Sequence, residues 1–145
     1  MRRGIRTIAL VLLALALLTL TGCGSAKKQA VEEFEQEREK IEFQAGKLQN
    51  AIENGEGWLD SGKEPADPRV RAALEKKIGE AKQALDGVEI PEMPEKTDEI
   101  VAATEKLREQ EMARLCSELE VTIKAFHTSV REKADADIAA AKAQG

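Results

Sequence analysis

The chain has 145 residues, the size of one domain, and is 42% hydrophobic and 34% charged but only 3% aromatic. This composition is typical of a helical bundle, because Ala, Leu, Glu, Lys and Gln lose little side-chain freedom in a helix. The formal net charge is −5. An excess of acidic groups argues against a nucleic-acid partner, which would need a basic stripe to neutralise phosphates.

The first 22 residues differ in kind from the rest. Arg2, Arg3 and Arg6 precede an apolar run from Ile8 to Leu20. A membrane-spanning helix needs about 20 apolar residues, so this run is short for a permanent span and is typical of a signal peptide. We therefore predict that residues 1–22 are a cleaved signal peptide, with an uncleaved membrane anchor as the alternative.

The apolar run ends in LTGC at residues 20–23, which resembles the lipobox of bacterial lipoproteins. In that family the chain is cut before the cysteine, whose sulfur carries a diacylglycerol and whose new amino group is often acylated. The resemblance implies that Cys23 is the lipidation site and that residues 23–28 form the lipidated N-terminus and tether. Two acyl chains suffice for stable membrane attachment, at roughly 0.8 kcal/mol per buried CH₂. The implied location is the bacterial cell envelope, as a membrane-anchored lipoprotein outside the cytoplasm.

Cleavage would also change the charge. It removes three of the 22 basic residues and none of the 27 acidic ones, so the mature charge is 19 minus 27, or −8. The membrane contact is therefore predicted to come from lipid on Cys23 rather than from a polybasic surface.

Hydrophobic periodicity predicts three helices, at about 29–54, 68–86 and 98–135. Residues 29–135 are thus predicted to form an all-α, up-down-up three-helix bundle with long first and third helices. Little remains to be buried beyond this point, so residues 136–145 are predicted to be a frayed C-terminal tail.

Glycine and proline set the predicted boundaries. The first helix is expected to stop at Gly55. Asp67 followed by Pro68 is typical of a helix start, because Asp is a good cap and proline suits the first helical position. Pro91 and Pro94 predict an extended linker before the third helix.

The third helix has an apolar stripe with one irregular step. Leu107 and Met112 are five positions apart, which predicts a local shift of the stripe. Its later part, from Cys116 to Val130, outreaches the second helix. This surplus must meet the first helix, the loop at 55–67, or another molecule, so a homo-oligomer is one of the alternatives.

Three residues are candidates for an interaction surface or a pocket: Trp58, Cys116 and Phe126. Trp58 either covers the core, if its loop folds back, or contacts a ligand. Cys116 is the only cysteine left beside Cys23, and its place on an apolar stripe favours a buried structural thiol. The alternative is a disulfide with a second copy.

Arg38 interrupts the apolar stripe of the first helix. A polar residue at such a position can fix the register of a bundle, and we hypothesise that Arg38 pairs with Glu109 or Glu111. The alternative is that the aliphatic part of Arg38 lies along the core while the charged head stays in water.

Few residues are suited to catalysis or to metal binding. His127 is the only histidine, and residue 124 is Lys where a di-iron bundle needs Glu. Ser117 and Ser129 lack a nucleophile motif. A row of carboxylates beginning at Glu32 is typical of a solvated helix face. We therefore predict no catalytic residue, no metal site, no cofactor and no enzymatic activity.

Three segments resemble the FIVAR-type three-helix modules of bacterial surface proteins: KLQNAI at 47–52, VRAALEKKIGEAKQAL at 70–85 and EIVAATEKL at 99–107. Such modules serve as binding or spacer units, and no binding residue is carried over from them. We expect a non-enzymatic, lipid-anchored helical envelope protein acting through an envelope protein partner or as a scaffold. The alternative is a carrier that holds a small apolar ligand between its helices.

Overall fold

The computed structural model describes residues 23–145, which fold into an all-α three-helix bundle without any strand among them. One helix, α1, contacts each of the others. The last two helices follow one another in the chain and together make up the third member of the bundle. The predicted signal peptide, residues 1–22, lies outside the described residues. The helices are α1 (Cys23–Asp60), α2 (Pro68–Asp86), α3 (Thr97–Arg108) and α4 (Met112–Gln144).

Helix α1 extends beyond both of its predicted ends. It begins at Cys23, so the expected tether at 23–28 is helical, and it continues through Gly55 to Asp60. Gly55 is a point of close approach: a Cβ atom there would lie only 3.0 Å from Cδ1 of Ile78 on α2. Glycine costs a helix about 1 kcal/mol relative to alanine, a cost that contact with α2 offsets. The chain leaves the helical path at Gly62, whose φ is +69°.

Helix α2 begins as predicted. Asp67 accepts a hydrogen bond from the backbone N–H of Arg69 at 2.9 Å, and Pro68 occupies the first turn. The side chain of Arg69, and then its backbone N–H, lowers the pKa of the Asp67 carboxyl. The segment predicted as a linker is non-helical, since residues 87–96 contain no helix.

The predicted single helix at 98–135 is wrong, because the chain breaks between α3 and α4. In one continuous helix, positions five residues apart point about 140° away from each other. The break allows both Leu107 and Met112 to be buried. The amide nitrogen of the Gln110 side chain donates to the backbone carbonyl of Glu89 at 2.8 Å, which ties the break to the linker.

The bundle has two buried clusters, one near each end of α1. The first lies where α1, α2 and α4 meet, and the second lies between α1 and α3, with Val88 and Met93 of the linker packed against it. The first cluster contains Leu48, Ala51, Ile52, Leu74, Ile78, Ala81, Met112, Cys116, Leu119, Ile123 and Phe126. The second contains Ala30, Phe34, Ile41, Ile100, Ala103 and Leu107.

The later part of the apolar stripe, from Cys116 to Val130, packs inside the bundle. Its members Cys116, Ile123 and Phe126 belong to the cluster shared with α1 and α2. Beyond it, α4 remains helical to Gln144, over residues 136–145 that were predicted to be a frayed tail. Alanine and lysine favour a helix even where nothing is buried. None of the helices in residues 23–145 has the length and apolarity needed to cross a membrane.

Candidate functional site

Two adjoining depressions lie between α1 and α4 and share Trp58 and His127 in their linings. Their volumes are about 450 and 390 Å³, and both are open to solvent. We call them together the Trp58 groove. The first is bordered by Lys47, Asn50, Ala51, Asn54, Glu120, Ile123 and Lys124, and the second by Lys63, Glu64, Val130, Arg131, Lys133, Ala134 and Asp137.

Trp58 is held at the centre of this groove by aromatic contacts. Its ring meets Phe126 edge-on, with centroids 6.5 Å apart at 62°, and lies 4.8 Å from the His127 ring. The ammonium of Lys63 lies 5.3 Å from the centroid of the Trp58 ring, within the range of a cation–π contact. The indole therefore covers the core while remaining partly exposed to the groove.

The continuation of α1 through Gly55 decides this placement. Trp58 was expected to fold back as part of a loop, but it lies in the last turn of α1. The hydroxyl of Ser61 donates to the backbone carbonyl of Trp58 at 2.7 Å and closes that turn. As a helical residue, Trp58 shares one side of α1 with Asn54 and Lys47, four and eleven positions earlier.

The three predicted pocket residues have different surroundings. Phe126 is completely buried beneath Trp58 and belongs to the core. Cys116 is also buried, at 5% exposure, and borders a smaller depression of about 200 Å³ beside Phe43. Of the three candidates, only Trp58 borders the groove.

Burial also decides the chemistry of Cys116. Its thiol is free and lies 3.8 Å from the carboxylate of Glu120. Burial first, and the negative charge of Glu120 second, raise the pKa of the Cys116 thiol. Since the thiolate is the reactive form, Cys116 is protected both by its position and by its protonation.

Arg38 does not make the predicted pair with Glu109 or Glu111. It pairs within α1, at 3.1 Å from Glu35 and 3.7 Å from Glu42. At 39% exposure its side chain reaches solvent, which fits the alternative of a charged head in water.

Arg108 provides the connection between helices that was expected of Arg38. Its guanidinium lies 3.4 Å from Glu37 and 3.5 Å from Glu33, both on α1. Arg108 is at the end of α3, where the break places it beside α1. The periodicity indicated a shift of the stripe between Leu107 and Met112 but not an interruption of the helix, and it is the interruption that puts Arg108, rather than Arg38, between two helices.

Sequence reasoning missed the cations that border the Trp58 groove. Residues 23–145 contain 19 Lys and Arg side chains, of which 12 form ion pairs, leaving seven. Four of these seven border the groove: Lys47, Lys63, Lys124 and Arg131. The sequence did indicate that Lys47 is unpaired, because no acidic residue lies three or four positions away from it.

Known proteins offer no guide to this site. Comparisons with protein-family models, with curated proteins and with solved structures find no match. Within the described part of the chain, no three His, Cys, Asp or Glu side chains are grouped closely enough to hold a metal ion. The arrangement offers a partly exposed aromatic surface flanked by positive charge, to which a negatively charged group would be attracted.

Proposed function

We propose that the protein is a non-enzymatic, lipid-anchored helical protein of the bacterial envelope that acts through a protein partner or as a scaffold. The observation that carries the proposal is the LTGC tetrapeptide after a basic start and a short apolar run. Residues 23–28 are helical and continuous with the rest of α1, so lipid on Cys23 would be carried directly by that helix.

We further propose an up-down-up path for the chain. The ion pair between Glu56 on α1 and Lys82 on α2 supports neighbouring first and second members. Arg108 beside Glu37 and His127 beside Trp58 support a third member that advances alongside α1. In this arrangement the groove lies toward the end of α1 that is remote from Cys23, where a partner can reach it.

The alternative of an apolar-ligand carrier has less support. Small-molecule sites are concave and bury most of the surface of their ligand. The depressions around Trp58 are open to solvent and bordered by lysines, and Phe126 fills the space beneath the indole. Mass spectrometry of the protein in a native extract tests this alternative, because a co-purifying small molecule would favour the carrier.

The anchor is tested by palmitate labelling in a bacterial host. We expect radiolabelled palmitate in the wild-type chain and in the control Cys116→Ala, and no label in Cys23→Ala. Equal labelling of Cys23→Ala would remove the anchor from the proposal. Pull-down from envelope fractions with the lipidated chain then tests the interaction role.

A further inference from the structure

We propose that the Trp58 groove binds an acidic amphipathic helix of a partner protein. This inference rests on the proposed interaction role and specifies the chemistry of the partner. It is carried by three observations: the unpaired cations, the exposed aromatic surface between them, and the shape of the groove.

The charge of the groove opposes that of the rest of the chain. Residues 23–145 carry 19 basic and 27 acidic side chains, a difference of −8. Even so, Lys47 and Lys124 border the first depression, and Lys63 and Arg131 the second, without an ion pair in the described structure. A carboxylate brought to them would meet a cation that no acidic group already neutralises, which favours an acidic partner.

The acidic side chains in the lining do not cancel this charge. Asp137 lies 3.9 Å from Lys133, and Glu120 accepts the Cys116 thiol. Glu64 is the third. The lining therefore contains five Lys and Arg side chains against three carboxylates.

The shape of the groove favours a helix over a compact ligand. Its border on α4 runs from Glu120 to Asp137, which spans about 25 Å at 1.5 Å per residue. On the α1 side, Lys47, Asn50, Asn54 and Trp58 follow one another at steps of three or four. Two parallel helical borders form the kind of channel into which a third helix places its apolar side.

Trp58 provides the apolar contact within this channel. Its exposed part lies between the two cation pairs, with the His127 ring beside it at a tilt of 47°. Leucines along one side of the incoming helix would cover the indole, and glutamates on the flanks would reach the lysines. Tryptophan and arginine are the residue types that most often dominate binding energy at protein interfaces.

The experiment uses the full chain in a nonionic detergent and the fluorescence of Trp58, which is the only tryptophan. The probe is a synthetic helix of about 18 residues, the number needed to span the groove. It carries leucine on one side and glutamate on both flanks, and contains no tryptophan. We expect a saturable blue shift at low salt that weakens at high salt. A peptide with lysine in place of every glutamate should leave the fluorescence unchanged.

Charge reversal locates the binding site. We expect Lys47→Glu/Lys124→Glu to weaken binding about tenfold or more, because two attractive contacts become repulsive. The matched control Lys27→Glu/Lys142→Glu makes the same change in net charge at two exposed, unpaired lysines outside the groove. Circular dichroism verifies that both variants fold, as expected for exposed positions.

The results separate this proposal from the proposed function. Absence of a fluorescence change with the acidic peptide, or equal weakening by the two double variants, would overturn the groove assignment while palmitate on Cys23 still established the anchor. Self-association that only Lys47→Glu/Lys124→Glu abolishes, with no peptide binding, would show that a second copy is the occupant and would also overturn it. If the chain incorporates no palmitate and still binds the acidic peptide saturably, the groove assignment is supported and the anchor is overturned.

Discussion

The hydroxyl of Ser129 on α4 accepts a hydrogen bond at 3.0 Å from the backbone N–H of Asp67, the residue that caps α2. The backbone carbonyl of Ser129 also accepts the N–H of Ala66 at 3.1 Å. One buried serine thus fixes the segment between α1 and α2 against α4, at the same end of the bundle as Trp58.

Ser129→Ala should destabilise the protein. Ser129 is 5% exposed, so removal of its hydroxyl leaves the amide of Asp67 without that partner, at a cost of about 1–3 kcal/mol. Ser117→Ala is the matched control, because Ser117 is an exposed serine of the same helix. Urea unfolding measures both, and equal midpoints would contradict the role given to Ser129.

Gly55→Leu should destabilise the junction between α1 and α2. A Cβ at Gly55 would lie 3.0 Å from Ile78, so a larger side chain overfills the contact at about 1–3 kcal/mol. Gly46→Leu gains the same helix propensity on α1, but a Cβ there meets nothing within 4 Å. Thermal melting should therefore show a lower Tm for Gly55→Leu and an unchanged or higher Tm for Gly46→Leu. A higher Tm for Gly55→Leu than for Gly46→Leu would mean that α1 and α2 are not closely packed at Gly55.

Lys77 should make stability sensitive to acid. It donates to Glu80 on α2 at 2.6 Å and to Glu118 on α4 at 3.0 Å. The hydrogen bond from Lys77 is the main cause of the lowered pKa of each carboxyl, with Arg114 adding to the effect on Glu118. A carboxyl with a lowered folded pKa contributes stability above its ordinary value of 4.5, and this contribution is lost as pH falls through the folded pKa.

We therefore expect Lys77→Met to reduce the loss of Tm between neutral and acidic pH. Lys76→Met is the control, since Lys76 is 80% exposed and lies 3.9 Å from Glu80 alone. Melting curves recorded from pH 7 to below the ordinary carboxyl pKa would reveal the difference. If the two variants lose the same amount of Tm as the pH falls, the acid sensitivity comes from groups other than the Lys77 pairs.

Cys116 should react slowly with thiol reagents. The thiol is buried and its pKa is raised, so little thiolate exists near neutral pH. We expect labelling by iodoacetamide to become rapid only on unfolding, with peptide mass spectrometry distinguishing Cys116 from Cys23. In the control Cys116→Ser/Ser117→Cys, the exposed thiol should react at once. Rapid labelling of native Cys116, or a dimer on a non-reducing gel, would overturn its assignment to the core.

The candidate site was only partly visible in the sequence. Trp58 was identifiable because one tryptophan in a chain with so few aromatic residues is conspicuous. Phe126 was taken as a lining residue because periodicity places it on the inner stripe but does not give its depth. The grouping of Lys47 with Lys124 depends on two helices lying side by side, which no pattern within either helix contains.

The break after Arg108 illustrates the same limit. The irregular step from Leu107 to Met112 indicated a shift, and either a gradual change of twist or an interruption accommodates such a step. The chain interrupts the helix, because both side chains are buried and Gln110 bonds to the linker.

The sequence by itself determined the helical class, the start of α2 and the non-helical linker, because these follow from local spacing, capping and proline geometry. Its first 23 residues likewise contain the whole basis for the predicted lipid anchor. Only the tertiary structure decided that α1 continues through Gly55, that Arg108 rather than Arg38 joins two helices, and that unpaired cations surround Trp58. Each of these depends on contact between residues far apart in the chain, where packing overrides the preference of a short segment.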